Sequence, residues 1–369
     1  MRVAFISSLN GGVGTYTIEL IQALSKSIDE IDLYLFASDP VSKRLDFPKN
    51  VNIIVYTNSP LKLLILLFKH LKKLNCNDLI HLNYAAFFVP IYISKKIWGT
   101  PCILTSHGIP QPDLEKDLKK IYYLIEKYML KVASHCSNQH VAISNYVRRH
   151  LQFEYGIESS VIYHGIQAPS QLQITNAQKQ KIRKESNIPL NQFIVLYVGN
   201  MNRYKNIMTL VDAIPVALSI KKDLIFILIG KGELQGDAEQ KIMNLNISDK
   251  VIFMPYAEDL TPYYLSADLF ILPSVNEMFG IVLLEAMSHG LPVISSQGGA
   301  CPEVLGDAGL LFNPYSKTDL AHKICQIADN NAERMMFIEK GLARVKEFTW
   351  ERAAREYEDI YEEIVGGKK

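Results

Sequence analysis

Short runs of β-branched and aromatic residues alternate along this chain with segments of helix length, and most of the runs are too uniformly apolar to keep one face in water. In the first half they are Val3–Ile6, Leu33–Phe36, Ile53–Tyr56, Leu79–Leu82, Cys102–Thr105, His140–Ile143 and Val161–Tyr163. In the second half they are Ile194–Val198, Ile225–Ile229, Val251–Met254, Leu269–Leu272, Pro292–Ser295 and Leu310–Leu311. The pattern predicts an α/β protein with two successive doubly wound parallel sheets. Between the two sets, Ile166–Leu190 is rich in Gln, Asn, Ser and Lys and contains Pro169 and Pro189, so its first part reads as a linker. Trp350–Val365 is a charged amphipathic helix behind the start signal Thr349. The expected domains are 1–167, to which 350–369 packs back, and 168–349.

Composition narrows the class. With 48% apolar and 21% charged residues, the 369-residue chain has ample material for packed cores and is neither disordered nor collagen-like. A net charge of +1 gives no footprint of a dedicated nucleic-acid binder. The charge is unevenly spread: residues 1–165 carry 18 basic and 13 acidic groups, leaving 21 and 25 for the remainder. Five cysteines without a CxxC spacing point to neither a disulfide framework nor a zinc ribbon, and fit a reducing, cytoplasmic compartment. Val3–Ile6 is too short an apolar run for a signal peptide, and Leu61–Leu71 is interrupted by Lys62 and Lys69, which argues against a membrane span. That same run, with Lys72 and Lys73 beyond it, reads either as a core helix with solvated lysines or as a surface for an anionic membrane.

Several loops carry candidate chemistry. Asn10-Gly11-Gly12-Val13-Gly14 follows the first strand and leads into a helix expected over Thr15–Ser25, so it is either a tight turn or a place where backbone amides meet an anion. After the strand at Ile194–Val198 comes Gly199-Asn200-Met201-Asn202-Arg203-Tyr204-Lys205-Asn206, with a helix expected from about Ile207. Arg203 and Lys205 there are either a diphosphate clamp or an ordinary solvated basic loop. Gly230-Lys231-Gly232 has its next glycine at 236, one residue too far for a dinucleotide fingerprint.

The most specific segment is Pro273-Ser274-Val275-Asn276-Glu277-Met278-Phe279-Gly280-Ile281-Val282-Leu283-Leu284-Glu285-Ala286-Met287. It sets Glu277 in a loop and Glu285 about two turns inside a helix expected to start near Phe279. Amides of Gly280 and Ile281 at that helix start suit phosphate oxygens, and the carboxylates suit sugar hydroxyls. Because Glu285 lies in a helix that is apolar nearly all round, its carboxylate needs a partner.

The E-x7-E pattern Glu277–Glu285, inside a PS…E…FG…LEAM…G.PV frame, resembles the retaining GT-B glycosyltransferases of family 4 (glycosyl transferases group 1). The likeness extends through Gly290-Leu291-Pro292-Val293-Ile294, Gly298-Gly299, Pro302-Glu303-Val304 and Gly306-Asp307-Ala308-Gly309, and through Thr105-Ser106-His107-Gly108, Ala142-Ile143-Ser144 and Ile162-Tyr163-His164-Gly165-Ile166. The resemblance implies a GT-B fold: two Rossmann-like domains facing a cleft, the second binding a UDP- or GDP-sugar and the first a glycan or lipid-linked acceptor. It implies donor contacts at Gly12, Val13, Gly199, Gly230, Gly232, Phe279, Gly280, Ile281 and Glu285, with Arg203 and Lys205 on the diphosphate, Glu277 on the hexose and His107 on the transferred sugar. It also implies front-face transfer with retention, in cell-envelope polysaccharide or glycoconjugate synthesis. No Asp-x-Asp occurs, so turnover without a metal or other cofactor is expected. Two positions depart from the family pattern: Asn200 stands where Arg is common, and His164 where Asn is usual in the linker motif. A GT-B epimerase or phosphorylase, or a bilobal nucleotide-sugar-binding protein without transfer, uses similar spacing and stays open.

Overall fold

A computed structural model of the chain describes residues 1–37, 47–109, 118–167, 174–257 and 259–367. The chain divides into two compact units, Met1–Gly165 with Phe348–Lys369, and Ile166–Glu347. Among the described residues the first unit holds seven strands: β1 (Arg2–Ser8), β2 (Glu30–Phe36), β3 (Val51–Thr57), β4 (Leu79–Leu82), β5 (Cys102–Ser106), β6 (Gln139–Ala142) and β7 (Ser160–Val161). The second holds β8 (Phe193–Val198), β9 (Leu224–Ile229), β10 (Val251–Met254), β11 (Leu269–Leu272), β12 (Val293–Ser296) and β13 (Gly309–Phe312). Their orders are β3-β2-β1-β4-β5-β6-β7 and β10-β9-β8-β11-β12-β13. Every pairing is parallel. Winding reverses between β1 and β4 in one sheet and between β8 and β11 in the other, the places where doubly wound sheets collect polar groups.

All thirteen apolar runs are strands, within three residues at their ends. Burial is incomplete in β7, β10 and β13, and least complete in β3, an edge strand that leaves Ile53 and Tyr56 exposed. The first helix starts at Gly11, four residues before Thr15, so the glycine cluster lies within its first turn. The helix after β11 runs Ile281–Ser288, starting two residues later than Phe279.

The polar stretch after Ile166 is not a linker over most of its length. Thr175 and Gln178 form a capping box for the helix Asn176–Glu185. Arg183 of that helix is buried, donating from Nε to the Ser266 carbonyl at 2.9 Å and pairing through Nη2 with Asp268 at 2.6 Å. Asp268 also takes Lys179 at 2.6 Å and the amide of Ile194 at 2.7 Å, which fixes the segment to the second unit's own sheet. Residues 168–173 lie outside the described residues.

The helix Trp350–Gly366, capped by the Thr349 side chain, completes the first unit. Its Trp350, Tyr357 and Tyr361 are buried with Phe5, Leu20 and Leu79 in one cluster. The polar ends of its tyrosines are all paired: the Tyr16 hydroxyl reaches that of Tyr357 at 2.7 Å, which lies 3.0 Å from Thr105 Oγ1. Thr105 Oγ1 in turn meets His81 Nε2 at 2.8 Å, and His81 Nδ1 meets the Tyr361 hydroxyl at 2.6 Å. Burial holds the His81 imidazole neutral, its pKa pushed down to about 3. Gly165 permits this docking, since a Cβ there would stand 2.2 Å from the Trp350 amide nitrogen. Tyr361→Phe strands a buried ring nitrogen of His81, and the expected loss is about 1–3 kcal/mol in denaturant unfolding of the first unit. An unchanged midpoint would show that the network carries no stability.

Candidate functional site

In the second unit the loops after β8 and β11 leave neighbouring strands and are tied together by backbone: the Val275 amide donates to the Tyr204 carbonyl at 2.9 Å. Asn206 holds a left-handed backbone conformation (φ 53°) just before the helix Ile207–Ile220. Its side-chain amide donates to the carbonyls of Pro273 at 3.1 Å and Pro314 at 2.8 Å, joining three strand-end loops. This framework sets the Lys205 ammonium 2.5 Å from Glu277 Oε2, which also accepts from the Ser274 hydroxyl at 3.1 Å. Glu277 is only 8% exposed, so its charge is compensated locally rather than by water. The loop after β12 supports it from behind: the Ala300 amide donates to the Glu277 carbonyl at 2.7 Å, and a Cβ on Gly299 (φ 62°) would meet that carbonyl at 2.2 Å.

Gly280 (φ 91°) precedes the helix Ile281–Ser288, whose start has no side-chain cap. The amides of Ile281 and Val282 precede any possible intrahelical acceptor, so donors and the positive end of the helix dipole lie beside the Lys205–Glu277 pair's loop. Farther along the helix, Glu285 Oε2 accepts from the Tyr264 hydroxyl at 2.7 Å, and Tyr264 stacks on His289 with ring centroids 5.0 Å apart. His289 Nδ1 donates to the Glu285 carbonyl at 2.7 Å, fixing the stack. Burial raises the Glu285 carboxyl above its usual value, and the Tyr264 hydrogen bond offsets this in part.

The remaining predicted residues of this unit separate by role. Arg203 is exposed, while Phe279 is buried at 3%. Gly230 (φ 140°) and Gly232 have a packing reason: Cβ atoms there would stand 2.0 Å from the Gly199 carbonyl and 2.4 Å from the Met201 carbonyl. Gly199 faces the Tyr197 hydroxyl at a would-be 3.0 Å. Gly230 and Gly232 let two loops pass backbone to backbone.

In the first unit, Gly12 is open and Val13 half-buried in the first turn of the helix Gly11–Leu24, which has no side-chain cap. Gly14 is required by contact, a Cβ there falling 2.3 Å from the Leu9 carbonyl. His107 follows β5 and packs edge-on to Tyr16 at 4.4 Å, with His164 5.7 Å away. Its Nε2 lies 3.2 Å from Asn83 Oδ1, and its Nδ1 is buried without a hydrogen-bond partner among the described residues. Burial, then His164 and His81, holds its pKa well below 6.5, so the ring is neutral at pH 7. His164 is likewise neutral, pushed down to about 3, and stacks on Trp350.

Pattern reading of the sequence did not single out Tyr264, Asn206 or Asn83. Only Asn206 carried a local signal, an asparagine directly before a helix.

The family description "Glycosyltransferase Family 4" matches residues 10–168, and "Glycosyl transferases group 1" matches residues 178–344. The chain belongs to the family 4, group 1 glycosyltransferases. An uncharacterized glycosyltransferase, MJ1178 of Methanocaldococcus jannaschii, is 27% identical over 78% of this chain and 76% of its own. A UDP-Gal:alpha-D-GlcNAc-diphosphoundecaprenol alpha-1,3-galactosyltransferase of Escherichia coli is 23% identical over 98% and 96%. Several other relatives align over about half their length, such as the O-antigen chain mannosyltransferase B of Escherichia coli, 33% identical over 46% of each chain. Among solved structures, Anabaena Alr3699/HepE in complex with UDP-glucose has a TM-score of 0.79 at 21% identity, covering 98% of this chain and 99% of that one. The fold of this glycosyltransferase is therefore GT-B.

Because the native Glu285 carboxyl titrates above its unfolded value, its contribution to the glycosyltransferase's stability is full at low pH and is lost as pH rises through the native pKa. Glu285→Gln is expected to leave stability unchanged or raised at pH 7, with the gap to wild type closing toward pH 4. Thermal unfolding at both pH values checks this, and marked destabilisation at pH 7 would contradict it.

Proposed function

We propose that this chain is a retaining glycosyltransferase that moves a hexosyl group from a UDP- or GDP-sugar to a hydroxyl of a glycan or lipid-linked acceptor, without a metal. The observation that carries the reading is the buried Glu277 held by Lys205 beside the uncapped start of the helix that bears Glu285. In this reading the diphosphate takes the amides of Ile281 and Val282 with the Lys205 and Arg203 cations, and Glu285 Oε1 accepts from the ribose. Glu277 accepts from hexose hydroxyls. The acceptor oxygen bonds to the anomeric carbon on the face from which the diphosphate departs, and the departing phosphate oxygen takes the acceptor's proton. Glu277 orients the sugar and forms no covalent bond. Gly12 and Val13 supply amides, and His107 meets the transferred sugar.

Two named relatives support the choice of substrates: one structure holds UDP-glucose, and one enzyme is named for a diphosphoundecaprenol-linked acceptor. Isothermal calorimetry in EDTA with UDP, GDP and their hexose conjugates tests the donor. One nucleotide is expected to bind, and Glu285→Ala to abolish the heat. Binding that requires a divalent ion, or none to any of the four, would refute the reading. Lys205→Ala removes a preplaced cation and is expected to lower the turnover number about 10²–10³-fold.

We further propose a peripheral contact with the cytoplasmic face of an anionic membrane. Helix Pro60–Lys69 buries Leu63 and Leu67 but exposes Leu61, Ile65 and Phe68, with Lys62, Lys69, Lys72 and Lys73 also exposed. Neighbouring helix Phe88–Trp98 exposes Tyr92, Ile97 and Trp98. Apolar groups ringed by lysines suit a headgroup boundary. No helix among the described residues is long and apolar enough to cross a membrane. Sedimentation with phosphatidylglycerol vesicles should pellet the protein at low salt, and Phe68→Glu should release it. Equal recovery with neutral vesicles would count against the charge component.

A further inference from the structure

A chain of buried hydrogen bonds leads away from His107 into the first unit. His107 Nε2 lies 3.2 Å from Asn83 Oδ1, and Asn83 Nδ2 lies 2.9 Å from Ser7 Oγ. Ser7 Oγ lies 2.6 Å from Thr17 Oγ1, and Thr17 Oγ1 lies 2.7 Å from the Val13 carbonyl, with the Ser8 carbonyl at 3.4 Å. Asn83, Ser7 and Thr17 are all buried. Each hydroxyl has one proton to give, and a carbonyl can only accept.

The carbonyl end therefore sets the direction of every link. Thr17 must spend its proton on a main-chain carbonyl, so the 2.6 Å contact with Ser7 is a hydrogen bond only if Ser7 donates. With its proton so committed, Ser7 can only accept from Asn83, which turns the amide nitrogen toward Ser7 and the amide oxygen toward His107. That oxygen accepts, so His107 Nε2 must carry the proton.

We infer that Asn83 is a positioning residue that locks His107 in the Nε2–H tautomer, so that its Nδ1 is an acceptor reserved for a hydroxyl proton of the transferred sugar. The vacant partner of Nδ1 is what this assignment expects: it is a buried ring nitrogen with no donor among the described residues. The start of the chain at Val13 is itself one of the positions assigned to the donor, so the loop at one end and the imidazole at the other are held by the same bonds. The sugar contact rests on the proposed transferase activity. The tautomer does not.

Nitrogen-15 spectra of protein labelled on its nine histidines, recorded at neutral pH without any nucleotide, read the tautomer directly. His107→Gln assigns the signal. The wild type should show one pyrrole-type Nε2 and one pyridine-type Nδ1. Asn83→Asp keeps an acceptor toward His107 and should retain that signature, whereas Asn83→Leu should lose it, the remaining histidine signals reporting that the variant is folded. A pyrrole-type Nδ1 in the wild type, or an unchanged Nε2–H tautomer in Asn83→Leu, would overturn the assignment. If the tautomer is as inferred but His107→Gln transfers sugar at the wild-type rate, the failure lies with the proposed role of His107 and not with the chain that orients it.

Discussion

Parallel pairing with both sheet faces covered is the constraint from which the sites follow. Strands as uniformly buried as β4, β9 and β11 leave their polar neighbours no way out except at the strand ends. The reversal of winding then separates the loops at one pair of strands in each sheet, β1 with β4 and β8 with β11. Ser7 near the end of β1, Asn83 just past β4, and the Lys205 and Glu277 loops past β8 and β11 all stand at those places. The crowding of strand-end loops explains several of the glycines. A Cβ on Gly14, Gly230, Gly232 or Gly299 would strike main chain at 2.0–2.4 Å, so these residues are demanded by protein packing whether or not a ligand is present.

The two carboxylates of the second unit are held by opposite means. Glu277 is balanced by a cation and a hydroxyl, and removing the cation leaves a buried charge. Among the described residues Glu285 has only the Tyr264 hydroxyl, so the ionised form carries a desolvation cost that a second hydroxyl donor would relieve. The same logic applies to His107 in the first unit, a neutral ring with one nitrogen paired and the other not. Incompletely paired groups such as these, set in otherwise paired surroundings, are donors and acceptors already in position before a substrate arrives.

The sequence disclosed the sheets more fully than the site. Thirteen short apolar runs became thirteen strands because length and flanking turn residues left a run such as Leu79–Leu82 no helical alternative. Local rules failed where tertiary contact overrode them. Glycine is a poor helix former, yet the first helix starts at Gly11 because Gly14 must lie against Leu9. The polar residues after Ile166 have the composition of a linker, but the capping box at Thr175 and Gln178 marked a helix that Asp268 anchors from 85 residues away. Glu277 and Glu285 were legible as a spaced pair. The partners of Glu285 and His107 were not, since Tyr264 lies 21 residues from Glu285 and Asn83 lies 24 from His107, distances at which no periodicity speaks.

The division of the chain adds a further consequence. The first unit's core includes Trp350, Ala353, Tyr357 and Tyr361, separated from Gly165 by the whole of the second unit. His81 and Thr105, both buried, have these tyrosines as hydrogen-bond partners, so without residues 348–367 the unit would hold unpaired polar groups beneath an uncovered apolar face. The second unit's contacts are instead drawn from one continuous span, 166–347. Contacts that close over such long loops form late, because chain entropy must be lost before they return any stabilisation. The order of folding that follows is the second unit as an independent body, and the first unit's core last. The Tyr16 ring that packs against His107 is bonded to Tyr357, so the environment of that histidine is complete only once this final helix has docked.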